Sequence, residues 1–116
     1  MRHQKKGKIL SRPVASRQMM LRNLASSIII YEKVKTTLAK AKTVQPLVDK
    51  IIGLAKKNDL TAKRRLLQIL PQKMAYKKAI EILSSRYQTR KSGYSRIIKL
   101  ERRLGDGAKI AQIELV

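Results

Sequence analysis

Apolar residues recur at helical spacing in the first part of the chain. The apolar positions of the first such segment are Met20, Leu21, Leu24 and Ile28. Their steps of three and four residues predict a helix whose polar face carries Arg22 and Ser26. The helix can begin near Pro13, because the missing N–H of a proline has no intrahelical partner in a first turn.

A second helical stripe follows Thr37, a residue that can cap a helix. Its apolar positions are Leu38, Ala41, Val44, Val48, Ile51, Ile52 and Ala55. Pro46 lies inside this pattern, so we expect a kink there or a restart of the helix in the preceding turn. Lys40 and Lys42 stand near the positive end of the helix dipole, which disfavours cations, and a nearby anion would relieve this conflict.

Two further helices are predicted before residue 88. Asp59 can cap the third helix, which Pro71 ends, and the fourth spans about residues 73–87. The inward face of the fourth helix consists of Tyr76, Ala79, Ile80 and Leu83. Tyr76 and Tyr87 have the spacing of this stripe, so packing is favoured for both over stacking on a nucleic-acid base.

Two-residue alternation replaces the helical spacing near the end of the chain. In one run Ile98 and Leu100 lie on one face and Ile97 on the other, and the next run alternates at Ala111, Ile113 and Leu115. The sequence Gly-Asp-Gly at 105–107 predicts a hairpin turn between the runs. Residues 33–36 predict a short strand that can join this hairpin, because a lone hairpin is only marginally stable.

These elements predict an α+β fold of about four helices. Its small antiparallel sheet is formed by the C-terminal hairpin and the short strand after the first helix. Residues 13–116 are expected to form a single globular domain, and residues 1–12 a basic arm with almost nothing to bury. The length of 116 residues and a hydrophobic content of 43% suit one domain with a modest core.

The charge of the chain is far from that of an average protein. It contains 28 Lys and Arg residues against 7 Asp and Glu residues, a net charge of +21. Such an excess destabilises the compact state by self-repulsion, and a polyanion would remove that repulsion while releasing counterions. Nucleic acid is therefore the first partner to consider.

The basic arm carries the densest group of cations in the chain. Its basic residues are Arg2, His3, Lys5, Lys6, Lys8 and Arg12. Basic segments of this kind often become ordered when they meet phosphates. The alternative is a disordered tail that serves only solubility.

Several other classes of function are disfavoured. The longest aliphatic run, Ile28-Ile29-Ile30, is far shorter than the roughly 20 residues of a membrane-spanning helix. The chain has no Cys, and its one histidine, His3, lies in the arm, so we expect no metal site and no cofactor. The carboxylates are scattered singly, which makes an enzyme with a small-molecule substrate improbable.

Five segments of the chain occur in the order that is characteristic of one family. These are "MRH", "MMLRNLASS", "TTLAKAK", "LAKKND" and "GYSRIIKLERRLGDGA" followed by "AQIELV". Together they resemble the bacterial-type large-subunit ribosomal protein seventeen family, over essentially the whole chain. The resemblance implies a structural, non-catalytic component of the large ribosomal subunit. It also implies binding to ribosomal RNA near the polypeptide exit tunnel, and contact with neighbouring ribosomal proteins.

The resemblance also assigns binding residues. It implies that the arm enters rRNA, and it matches family motifs to Arg22, Asn23, Thr36, Lys40, Lys42, Gly93, Tyr94 and Arg96. The residues themselves add Arg17, whose planar guanidinium suits phosphate, and a basic loop with Arg90 and Lys91. For Tyr94, stacking on a base and half-burial against the sheet are equally weighted.

The cellular setting and two rival functions stay open at this point. A chain that starts at Met1 without a presequence favours the bacterial cytoplasm over an organelle. A nucleoid-associated protein would share the charge but not the ordered segments. An assembly or translation factor that visits the ribosome is the other alternative.

Overall fold

The computed structural model describes residues 13–116, and the predicted arm lies outside the described residues. The elements in chain order are α1 (Val14–Tyr31), β1 (Lys33–Thr37), α2 (Leu38–Lys57), α3 (Leu60–Ile69), α4, β2 (Ser95–Lys99) and β3 (Ile110–Leu115). The fourth helix, α4, consists of Lys73–Lys78, a π-helical turn at Ala79–Leu83, and Ser84–Arg86. The predicted α+β class is confirmed.

Helix α1 ends where Glu32 adopts a left-handed conformation with φ of 65°. In this conformation its N–H donates to the carbonyl of Ile28 at 2.8 Å, which satisfies one of the last helical acceptors. Ser26, predicted on the polar face, is fully buried. Its hydroxyl donates to the carbonyl of Arg22 at 3.0 Å, so its burial leaves no unsatisfied donor.

Helix α2 is a single element that continues through Pro46, so the alternative of a restart before this residue is wrong. Pro46 lies on the exposed side, where water can satisfy the carbonyl that loses its helical partner. The predicted cap is confirmed, since the hydroxyl of Thr37 accepts from the N–H of Lys40 at 3.4 Å. Asp59 caps α3 in the same way, accepting from the N–H of Ala62 at 2.7 Å.

The π-helical turn in α4 was not predicted from the sequence. The buried residues of this segment, Ala75, Ala79, Leu83 and Tyr87, follow one another at steps of four. Steps of four overshoot an α-helical turn of about 3.6 residues, so the row would rotate away from the core. The wider π turn opposes this rotation and keeps Leu83 and Tyr87 buried.

The three strands form an antiparallel sheet in the order β1-β3-β2, which confirms that the early strand joins the C-terminal hairpin. Val34, Ile113 and Ile97 are paired across the sheet and share the face that packs against α2. The other face carries a second row of paired residues, formed by Lys33, Glu114 and Arg96. Helices α1 to α4 and strand β3 all contribute to one hydrophobic core.

Candidate nucleic-acid interface

Cations from three helices meet beside the first half of α1. Arg22, Lys50 and Arg65, from α1, α2 and α3, line one shallow depression of about 190 Å³. Arg22 was predicted as a binding residue, whereas Lys50 and Arg65 were not. Arg17 lies five residues earlier on α1 and is half-buried, and Asn23 is exposed. The depression presents three positive side chains within one small area.

A second group of cations surrounds the start of α2. Lys42 and Lys109 line a depression of about 360 Å³, and Lys109 also lines an adjoining depression of about 190 Å³ with Lys99 and Arg102. The hairpin is fixed to the helix because the N–H of Leu38 donates to the carbonyl of Lys109 at 2.9 Å. We call Lys42, Lys99, Arg102 and Lys109 the α2–hairpin cluster.

The α2–hairpin cluster lacks compensating acids. None of the ion pairs within residues 13–116 includes one of its four members. The first turn of α2 contains no acidic residue either. Lys40 and Thr36, both predicted as binding residues, lie in this neighbourhood and are half-buried. The positive potential here is therefore available to an external anion.

The basic loop with Arg90 and Lys91 ends at a buried tyrosine just before β2. Arg90 and Lys91 are exposed, as the sequence suggested, and Gly93 supplies a turn with φ of 68°. Tyr94 is only 5% exposed, and its ring packs edge-on against Tyr87 with centroids 5.4 Å apart. This geometry favours the packing alternative for Tyr94 over stacking on a base.

Arg96 is partly engaged within the protein. Its Nε donates to Glu114 at 2.6 Å, and Lys33 approaches the same carboxylate at 3.9 Å. The hydrogen bond from Arg96 holds the pKa of the Glu114 carboxyl below its ordinary value. The Arg96 side chain is nevertheless 61% exposed, so it also faces solvent beside the sheet.

Glu32 collects two cations at the end of α1. Lys78 donates to its carboxylate and to the carbonyl of Ile30, each at 2.8 Å, and Arg86 binds the same carboxylate. The hydrogen bond from Arg86 and, after it, that from Lys78 lower the pKa of Glu32 to about 2. We call Glu32, Lys78 and Arg86 the Glu32 corner. Its cations stabilise the junction of α1 and α4.

Metal ligands, buried acids and membrane-spanning helices are three further features to consider in the described residues. Residues 13–116 contain no group of three or more His, Cys, Asp or Glu side chains placed to hold a metal ion. Burial raises the pKa of Asp49, whose carboxylate accepts from the hydroxyl of Ser95 at 3.1 Å. Within the same range, no helix has the length and apolar character needed to cross a bilayer.

Part of the predicted site lies beyond the described structure. Arg2, His3, Lys5, Lys6, Lys8 and Arg12 lie outside the described residues. Their role in binding stays a prediction. In the described part, the structure adds Lys50, Arg65, Lys99, Arg102 and Lys109 to the predicted residues.

The fold and this surface define a small, strongly cationic α+β protein with clusters of positive side chains that form no ion pair with an acid of residues 13–116. The family model described as ribosomal protein L17 matches residues 20–116. The chain belongs to this family, which confirms the resemblance found in the sequence.

Curated relatives match the chain over its whole length. The large ribosomal subunit protein bL17 of Rickettsia typhi is 47% identical over 116 residues, covering 100% of this chain and 85% of the relative. The proteins of the same name from Hydrogenobaculum sp. and Hyphomonas neptunium are 44% and 43% identical. Both alignments cover 100% of this chain, with 99% and 83% of the relatives.

Proposed function

We propose that the protein is a structural constituent of the large ribosomal subunit that binds and stabilises folded ribosomal RNA. The observation that carries the proposal is the coincidence of family membership with cation clusters that no acid of residues 13–116 neutralises. The relatives named above are large-subunit proteins, which supports this subunit and, in a bacterium, the cytoplasm.

The physical role follows from the distribution of charge. RNA helices that pack closely repel one another through their phosphates, and a cationic protein between them reduces that repulsion. The clusters at α1–α3 and at the start of α2 come from different elements, so they can contact separate RNA segments. Because most such contacts go to phosphate and sugar, recognition depends mainly on RNA shape.

Two finer parts of the proposal rest on the family resemblance. The site in the subunit is near the polypeptide exit tunnel, and the partners include neighbouring ribosomal proteins. The division into a binding arm, residues 1–12, and a folded domain, residues 13–116, belongs to the same proposal. Within residues 13–116, the buried core draws on all four helices and on strand β3, which supports a single folded domain over this range.

Sedimentation through a sucrose gradient after a high-salt wash tests the function directly. A structural constituent stays with the large subunit after the wash. An assembly or translation factor is released, and a nucleoid-associated protein sediments with DNA. Either of the last two results contradicts the proposal.

Deletion of residues 1–12 tests the contribution of the arm. We expect weaker association with large-subunit rRNA, since the deletion removes six basic residues: Arg2, His3, Lys5, Lys6, Lys8 and Arg12. The helical circular-dichroism signal should be nearly unchanged, because helices α1 to α4 lie within residues 13–116. Loss of that signal would mean that the arm is part of the folded core, and unchanged binding would remove the arm from the interface.

A further inference from the structure

The loop at residues 88–93 is anchored by Tyr94 of the buried core and by Lys56 in the last turn of α2. The Tyr94 hydroxyl lies 2.9 Å from the carbonyl oxygen of Lys91 and 3.2 Å from that of Arg90, so it can donate its single proton to either. Lys56 donates to the same hydroxyl at 2.8 Å and also to the Arg90 carbonyl. Two consecutive loop carbonyls are therefore fixed by one tyrosine and one lysine.

We propose that Lys56 and Tyr94 are positioning residues that orient this loop for phosphate binding by Arg90 and Lys91. The inference rests on the proposed function and adds to it a structural basis for the orientation of the loop. Neither Lys56 nor Tyr94 contacts RNA itself under this proposal. They act through the loop.

The positioning pair is mounted on rigid parts of the fold. Lys56 lies in the last turn of α2, where the helix dipole favours a cation, and its Nζ is 5.0 Å from the centre of the Tyr94 ring. The ring contacts Tyr87, whose hydroxyl donates to the carbonyl of Val116 at 2.7 Å. The N–H of Val116 in turn donates to the carbonyl of Tyr94 at 2.9 Å. Movement of Tyr94 would therefore disrupt its contacts with Lys56, Tyr87 and Val116.

The orientation of the loop carbonyls has an electrostatic consequence. A carbonyl oxygen carries partial negative charge and repels phosphate. Turning the oxygens of Arg90 and Lys91 toward Lys56 and Tyr94 removes them from the outer surface, where the two basic side chains are exposed. The guanidinium of Arg90 is further held by the carbonyl of Gly93 at 3.3 Å, which reduces the entropy lost when it binds.

A double-mutant cycle separates positioning from general stabilisation. Tyr94→Phe removes the hydroxyl and keeps the buried ring, and Arg90→Gln with Lys91→Gln removes the loop charges. We expect Tyr94→Phe alone to weaken binding of purified large-subunit rRNA by about fivefold, the size of a typical coupling between groups in contact. In the loop variant the same substitution should cause no further loss. Equal losses in both backgrounds would overturn the inference.

Lys56 and Lys57 provide a matched control. Lys57 is the next residue of α2 and is exposed, with no hydrogen bond to the loop, so Lys56→Gln and Lys57→Gln remove the same charge. In the loop variant the effect of Lys56→Gln should fall to that of Lys57→Gln, whereas the effect of Lys57→Gln should be the same in both backgrounds. Hydrogen exchange of the amides at 88–93 should accelerate in Lys56→Gln and Tyr94→Phe and not in Lys57→Gln. Unchanged exchange in both would also overturn the inference.

The design distinguishes failure of the inference from failure of the proposed function. If Arg90→Gln with Lys91→Gln leaves rRNA binding intact while substitutions in the α2–hairpin cluster weaken it, the loop is not a binding element and the inference falls alone. If neither set weakens binding, the proposed function falls as well. Circular dichroism of each variant verifies that the fold is retained.

Discussion

The Glu32 corner and the α2–hairpin cluster use positive charge in opposite ways. At the corner, Lys78 and Arg86 share one carboxylate and close the junction between α1 and α4. In the cluster, four cations gather with no acid among their ion-pair partners in residues 13–116. The cations of the corner have an anionic partner within the protein. The cations of the cluster gain one only when an external anion binds.

This difference teaches where the surplus charge is placed. With 7 acids for 28 basic residues, most cations cannot be neutralised internally. Four of the seven acids lie where they contribute to the fold: at the α1 terminus, at the α3 cap, on the sheet and in the hairpin turn. Self-repulsion is therefore left at surfaces suited to a polyanion, while the core junctions are locally balanced.

The largest expected effect follows from removing charge in the cluster. Lys42→Gln with Lys109→Gln should weaken rRNA binding by about tenfold or more at moderate salt. The slope of log affinity against log salt should fall by about 0.7–0.9 for each lost phosphate contact. The free energy of unfolding should not decrease, because neither side chain pairs with an acid of the described residues. Titrations at several salt concentrations and urea denaturation measure the two quantities.

The paired cations supply the control for this experiment. Lys78→Gln with Arg86→Gln removes the same charge but leaves Glu32 without partners. This variant should lose stability and retain nearly the full salt slope. If both double variants lose equal affinity, the distinction between the two regions is wrong.

A smaller effect is expected from the carboxylate of the corner. Glu32→Gln should lower the free energy of unfolding by about 1 kcal/mol, a value reduced from that of a buried pair because the side chain is partly exposed. Glu101→Gln makes the same change of charge at an exposed acid outside the ion pairs of the described residues. It should leave stability nearly unchanged. Equal losses in the two variants would mean that net charge, and not the corner, determines stability.

Local patterns were sufficient to predict most of the fold. Apolar spacing, the caps at Thr37 and Asp59 and the alternation near the C-terminus depend on neighbours in the chain, so they can be read without a structure. The π-helical turn in α4 could not be read in this way. It depends on how the helix packs against α1 and α2, although the four-residue steps between buried positions are a signal for it.

The candidate site was predictable only in part, because its clusters are made by tertiary structure. Lys50 and Arg65 join Arg22 through the packing of three helices. Lys99 and Lys109 reach the start of α2 through the pairing of the hairpin with the early strand. In a chain so rich in cations, no local signal distinguishes these residues from the others. Tyr94 shows the opposite case, since a motif suggested contact and the packing buries its ring.

The smallest expected effect is the pH dependence of the corner. The pKa of Glu32 is lowered from 4.5 to about 2 in the folded protein, so the unfolded chain binds more protons between these values. Stability from Glu32 is therefore fully present above pH 4.5 and is lost as the pH falls toward 2. Asp49 acts in the opposite direction, since burial raises its pKa, and the lowered pKa values of Asp106 and Glu114 add to the trend.

Comparison with Glu32→Gln isolates the contribution of the corner, because Asp49, Asp106 and Glu114 titrate in both proteins and cancel in the difference. The gap in unfolding free energy between the native sequence and the variant should be constant above pH 4.5 and should shrink steadily toward pH 2. Urea denaturation at intervals of half a pH unit measures this gap. A gap that stays constant down to pH 2 would mean that Lys78 and Arg86 are not held by the charge of Glu32, and the contrast between the corner and the cluster would lose its electrostatic basis.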